Sequence, residues 1–196
     1  MACLDAGGAG PIRLTLRRLL RTQGRHQQQW MPRVTRVPGE AGAEQLQFIT
    51  DCDPTRVISD DARPILETTP AIAVERFDGG TPVIDFNACL SQGTGDGWLS
   101  LIHETEKHDG EQYDRHRWVW FDEASVLRGV SLPFFFGREG IERAAGLAPH
   151  PDGKHFLISC GGDKAWLATV DAGDIRKVLE DAQHISWGEA GEARSR

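Results

Sequence analysis

Trp98-Leu99-Ser100-Leu101-Ile102-His103-Glu104 is a short apolar run that ends in two polar, titratable residues. Runs of this length with alternating small and large residues read as a β-strand. The same shape occurs twice more. Leu46-Gln47-Phe48-Ile49 runs into Asp51, Asp53 and Pro54, and Phe156-Leu157-Ile158 runs into Cys160-Gly161-Gly162-Asp163. The starts of the three segments lie roughly fifty residues apart, the scale of one four-stranded propeller blade. The segments that follow also echo one another. Trp118-Val119-Trp120-Phe121-Asp122 and Trp166-Leu167-Ala168-Thr169-Val170-Asp171 are both strands closed by Asp. A β-sandwich would show turn signals every 8–12 residues without this longer period. The reading is a mainly β chain, a partial β-propeller of about three blades.

Further strands are expected at Ala71 to Phe77, at Thr81 to Phe86 and at Ala165 to Val170. Arg115 to Asp122 alternates strongly. Trp118, Trp120 and Asp122 fall on one face, and Arg117, Val119 and Phe121 on the other. One C-terminal helix is expected over Asp171 to Leu179. Asp171 caps it, and Ile175, Val178 and Leu179 form its apolar stripe.

The organisation is a basic leader over 1–26, a partial propeller over 27–187 and a loose tail over 188–196. In the leader, Ile12, Leu14, Leu16, Leu19 and Leu20 alternate with Arg13, Arg17, Arg18, Arg21 and Arg25. It reads as a disordered leader or as a short amphipathic helix.

The chain has 196 residues, 22 Gly, six Trp and a formal net charge of −7. That length can bury a real core. The acidity speaks against a nucleic-acid-binding surface, which needs clustered Lys and Arg. The cysteines Cys3, Cys52, Cys89 and Cys160 form no CxxC pair. Cys52 and Cys160 read as buried free thiols, which suits a reducing cytoplasm. No stretch of about 18 apolar residues offers a membrane span, and Met1 to Gly10 lacks the order of a secretory signal.

Nucleotide cradles of the GxxxxGK[ST] or GxGxxG type, an HExxH metal motif and a GxSxG nucleophile elbow are all missing. No cofactor or metal is expected. What remains are the polar ends of the repeated strands. If these strands are innermost, Asp51, Asp53, His103, Glu104 and Asp163 face a central channel. Paired carboxylates there suit glycoside chemistry, in which one acid protonates the leaving oxygen. For Asp51 and Asp53 the Asp-Pro sequence favours turn formation. For His103 and Glu104 both roles stand, although adjacent strand residues point to opposite faces. Trp98, Trp118, Trp120 and Trp166 read as core packing between blades, with sugar stacking as the alternative.

Several stretches carry a resemblance when taken in order. They are Gln29-Trp30-Met31-Pro32, Cys52-Asp53-Pro54-Thr55-Arg56-Val57, Gly97 to Glu104, Arg115-His116-Arg117-Trp118-Val119, Leu132-Pro133-Phe134-Phe135-Phe136, and Ala144 to Leu147 followed by His150-Pro151-Asp152-Gly153. The set resembles the C-terminal part of a bacterial group of five-bladed glycosidase-like propellers. That group is similar to glycoside hydrolase family 130, the β-mannoside phosphorylases and mannosidases, and some members are fused to glycosyltransferases. The resemblance covers roughly 27–179. It implies an inverting mechanism on an oligosaccharide or sugar phosphate, and a glycosyltransferase as a partner. It implies substrate-binding roles for His103, Glu104 and Asp163, and it identifies no catalytic residue.

This chain departs from that pattern. Gln27, Gln28 and Gln29 stand where the family has Glu-Lys-Asn, so a carboxylate and a cation are replaced by neutral amides. Asp163 runs directly into Lys164-Ala165-Trp166, which shortens a turn. The family's Glu-Asp-Pro-Arg segment, which supplies its general acid, has no counterpart here. The expectation is therefore a propeller impaired in catalysis, or a non-catalytic glycan-binding or structural module. Three blades leave a five-bladed ring unclosed, so self-association through open edges is expected.

Overall fold

A computed structural model of the chain describes residues 2–4, 14–16, 30–37, 39–70, 72, 79–89, 97–108, 111–137, 142–162 and 164–183. The chain is mainly β. Three antiparallel sheets follow one another along the sequence, and one helix comes last. Sheet I has the order β3 (Met31–Arg36), β4 (Glu44–Cys52), β5 (Thr55–Ser59), β6 (Pro64–Glu67). Sheet II is β7 (Ile84–Asp85), β8 (Trp98–His108), β9 (Glu111–Phe121), β10 (Leu127–Val130). Sheet III is β11 (Arg143–Pro149), β12 (His155–Gly161), β13 (Trp166–Asp171), followed by α1 (Ala172–Gln183). Within the leader, β1 (Ala2–Leu4) pairs with β2 (Leu14–Leu16) as a short antiparallel hairpin. The rest of the leader, over 5–13 and 17–26, on which the disordered and helical readings bear, lies outside the described residues.

The sheets stack in series because sheet II is apolar on both faces. Alternation along β8 and β9 sends Leu99, Leu101 and Trp118 one way, and Ile102, Val119 and Phe121 the other. The first set packs against Ala144, Leu147, Phe156, Ile158 and Cys160 of sheet III and against Ile175 and Leu179 of α1. The second set packs against Met31, Ile49, Cys52 and Val57 of sheet I. Full burial of each such side chain contributes about 1.5–3 kcal/mol. The result is a partial, propeller-like β fold of three blades. No helix among the described residues is long and apolar enough to cross a membrane.

The repeat read in the sequence is real, but its position in the sheets differs from the expectation. The three echoing segments lie in β4, β8 and β12, the second strand of each sheet rather than the innermost. Trp118–Asp122 and Trp166–Asp171 lie in or run on from β9 and β13, the third strands. Second strands are paired on both edges, so they carry the longest apolar runs. The first strand of sheet II is only two residues long. Pro82 lacks the N–H a ladder needs, and the Asp85 carboxylate accepts the Asn87 N–H at 2.8 Å to start a turn. The strand expected over Thr81 to Phe86 therefore shrinks to Ile84–Asp85, with a 3₁₀ turn at Phe86–Cys89. The strand expected from Ala71 to Phe77, except Ile72, and the tail over 188–196 lie outside the described residues. The helix starts as read: Asp171 Oδ1 accepts the N–H groups of Gly173 and Asp174 at 2.8 and 3.2 Å.

Sheet II also depends on a glycine. Gly97 has φ +134°, and a Cβ there would collide with the Phe121 carbonyl oxygen. Gly39 also has positive φ, +82°, but nothing lies within 4 Å of its Cβ position. We expect Gly97→Ala to lose about 3 kcal/mol of unfolding free energy and Gly39→Ala about 1 kcal/mol, measured by urea unfolding. Equal losses would mean that the close approach at Gly97 is absent.

Candidate functional site

Two places in sheet II carry chemistry, one at the middle of β8 and one at its start. The first is the polar end expected from the sequence. His103 follows Leu99 and Leu101 onto the face toward sheet III, and Glu104 follows Ile102 onto the face toward sheet I. His103 is buried, and its Nδ1 lies 3.2 Å from the Gly79 carbonyl oxygen. A carbonyl only accepts, so Nδ1 carries the hydrogen. The His103 ring sits 5.5 Å from that of His116, its cross-strand partner. Glu104 forms an ion pair with Arg117 at 2.9 Å, and both side chains are largely buried. Arg117 also donates to the Ser131 carbonyl at 3.1 Å. Asp163 lies outside the described residues.

His116 is fully buried. Its Nε2 accepts the Ala144 N–H at 3.1 Å, so the ring is neutral with its hydrogen on Nδ1. That Nδ1 has no hydrogen-bond partner among the described residues. Burial, and then the neighbouring His103, push the imidazole down to about 4, against an opposing pull from Asp114. Asp114 is itself buried and holds Thr105 Oγ1 at 2.7 Å and Arg143 Nε at 3.0 Å. This part of the sheet therefore ties its carboxylates into ion pairs and keeps its buried imidazole uncharged. It is built for cohesion between sheets. Asp51 and Asp53 match the turn reading. Asp51 pairs with Arg56 at 3.5 Å, and Asp53 accepts the Ile72 N–H at 2.6 Å beside the β4–β5 turn.

The second place is about 17 Å away, five residues back along β8. The first strands of sheets I and II are joined where the Val83 N–H donates to the Pro32 carbonyl at 2.8 Å. Beyond that bond lies a groove of about 840 Å³, lined by Arg33 to Arg36, Val83 to Asp85, Trp98 and, from sheet III, Pro149. It collects residues from β3, β7 and β11, the first strand of each sheet. This is where a propeller axis would run.

Arg33 is the unusual residue of the groove. It is only 7% exposed. Its Nε and Nη2 donate to Gln47 Oε1 at 3.0 and 2.8 Å, and its Nη1 donates to Ser125 Oγ at 2.8 Å. The guanidinium carbon sits 5.1 Å from the Trp98 ring centroid. All of these partners are neutral, and no carboxylate forms an ion pair with it among the described residues. Burial alone lowers the guanidinium to about 10, so it remains a cation at neutral pH. A guanidinium has five N–H donors, and three are used. Two have no acceptor among the described residues. Trp118, by contrast, is a core residue, 4% exposed and stacked on Phe134.

Sequence reading missed Arg33 because β3 was not recognised as a strand. The signal was present: Met31, Arg33 and Thr35 alternate with Pro32, Val34 and Arg36, which puts a cation on a buried face.

The buried imidazole makes a pH prediction. Unfolded, His116 titrates at 6.5; folded, it titrates at about 4. Between those values the unfolded chain binds the extra proton, so stability is full above the upper value and falls as pH drops. We expect a loss of about 2 kcal/mol between pH 7 and pH 5, measured by urea unfolding. His116→Phe removes most of that slope. An unchanged slope in the variant would mean that His116 is not its source.

Compared with known proteins, the chain matches no protein-family model, no curated protein and no solved structure.

Proposed function

We propose that this chain is a glycosidase-like propeller module that holds an oligosaccharide or a sugar phosphate in the groove between its first strands, without turning it over. The observation that carries this reading is Arg33, a buried cation with two unengaged N–H donors beside Trp98 in the groove. A phosphate or a vicinal diol would complete its hydrogen bonding, and an indole offers apolar area to a sugar ring. Arg36, Glu44 and Asp85 add polar groups along the lining. The groove is open and its lining is mainly apolar, which gives the faces of sugar rings area to pack on.

The enzyme reading has less support. Glycoside hydrolysis needs an acid able to give up a proton at the bond being cleaved. Glu104 is instead tied to Arg117, and His103 to the Gly79 carbonyl. Losing general-acid catalysis costs about 10²–10⁴ in rate. The partner that fits a non-catalytic module is a glycosyltransferase acting on the same glycan. The buried free thiols Cys52, Cys89 and Cys160 fit a reducing compartment such as the cytoplasm.

Calorimetric titration with mannose 1-phosphate and with a β-mannoside tests the proposal. Saturable binding is expected, with the phosphorylated sugar favoured and weakened by salt. Charge-assisted hydrogen bonds contribute about 1.5–3 kcal/mol, so Arg33→Met should weaken the phosphorylated sugar roughly tenfold to a hundredfold. Release of mannose or mannose 1-phosphate from β-mannosides should be undetectable. Robust turnover would restore the enzyme reading, and binding of neither sugar would defeat the proposal.

A further inference from the structure

The turn between β11 and β12 reads His150-Pro151-Asp152-Gly153-Lys154-His155. It is tightly closed: the His150 N–H donates to the His155 carbonyl at 2.9 Å, and the Gly153 N–H donates to the His150 carbonyl at 3.1 Å. Gly153 takes φ +67°, which lets the chain reverse. The reversal brings three metal-ligating side chains together. Each offers one ligand atom, and the three atoms lie within 4.8 Å of one another. Asp152 Oδ1 is 3.1 Å from His150 Nδ1, and Asp152 Oδ2 is 2.6 Å from His155 Nδ1. All three side chains are a little over one third exposed, so an ion reaches them from solvent.

We propose that His150, Asp152 and His155 form a binding site for a divalent transition-metal ion, with zinc as the representative ion. Two imidazoles and one carboxylate are the donor set that selects such ions over magnesium or calcium, which take oxygen ligands. Solvent completes the coordination.

A second feature supports it. Imidazoles that bind metal commonly offer the other ring nitrogen to a carboxylate, which fixes the ring and raises its basicity. Here the Asp171 carboxylate lies 3.9 Å from His155 Nε2, on the far side of the ring from Asp152. The backbone N–H groups of Lys154 and His155 both donate to Asp152 Oδ1, at 2.9 and 3.1 Å, which fixes the carboxylate within the turn. The backbone N–H of Asp152 donates to His150 Nδ1 at 3.2 Å in the free turn, so that bond is exchanged for the metal.

The site would act on structure. The Lys154 carbonyl accepts the N–H of Ala172, the first residue of α1, at 3.0 Å. Cys89 Sγ lies 2.9 Å from the His155 carbonyl oxygen. An ion on this turn clamps the hairpin of sheet III to the helix start and to the 3₁₀ turn of sheet II.

Titration of the metal-free full chain with Zn²⁺ by calorimetry, with Co²⁺ absorption as a second probe, tests this. The expected result is an ion held by these residues with a rise in melting temperature. His150→Ala and His155→Ala should each weaken that binding at least tenfold. Asp171→Asn should weaken it by about tenfold, the lower end of the usual effect of a supporting carboxylate. Circular dichroism without metal checks that the variants stay folded, and His150→Ala leaves the Asp171 contact intact. No Zn²⁺ binding by the parent chain would overturn the proposal. So would binding that persists unchanged in the double variant His150→Ala/His155→Ala.

Discussion

The double-sided burial of the middle sheet is the constraint on which the structure rests. A strand with one apolar face needs one cover. The pair β8 and β9 has two, with Leu99, Leu101 and Trp118 on one side and Ile102, Val119 and Phe121 on the other. Neither neighbouring sheet can leave without exposing one of these sets to water. Serial stacking of sheets follows, and the helix closes the gap at the outer strands because Ala172, Ile175 and Leu179 share a core with sheet III.

That stacking also decides where chemistry can sit. Side chains at the middle of a sandwiched sheet become interface material, and polar ones must find partners there. Glu104 and Arg117 satisfy each other on the sheet I side. His103 and His116 satisfy backbone groups on the sheet III side, with one nitrogen of His116 left over among the described residues. The first strands are different. They meet at Pro32 and Val83 and leave a groove beyond that point, lined by polar as well as apolar groups. Arg33 holds its position through Gln47 and Ser125, and no carboxylate among the described residues pairs with it. A buried cation without a counter-ion is costly, and among the described residues Arg33 has only neutral hydrogen-bond partners.

The interior strands were legible in the sequence, and the edges were not. The segments Leu46 to Asp53, Trp98 to Glu104 and Phe156 to Asp163 stood out because second strands pair on both sides and read as apolar runs. The alternation of Trp118, Val119, Trp120 and Phe121 was legible for the same reason, and the two faces fall as the period of two requires. Edge strands carry weaker patterns. Arg143–Pro149 is rich in Ala and Gly, and Pro64–Glu67 and Leu127–Val130 are only four residues long. The first strand of sheet II is cut short by Pro82 and the Asp85 turn. The groove was illegible because it is made of these first strands. The polar residues that ended the strong strands drew attention to His103 and Glu104, whose partners, Gly79 and Arg117, are set by pairing across the sheet.

Native-state hydrogen exchange measures the central claim most directly, because it ranks the strands by the free energy needed to open each one. If sheet II is the layer that both neighbours need, the amides of Leu99, Leu101, Val119 and Phe121 exchange slowest, only through global unfolding. The amides of β6 and β13 should open earlier. Exchange of β8 and β9 as fast as those edges, with sheet I or sheet III more protected, would contradict the account.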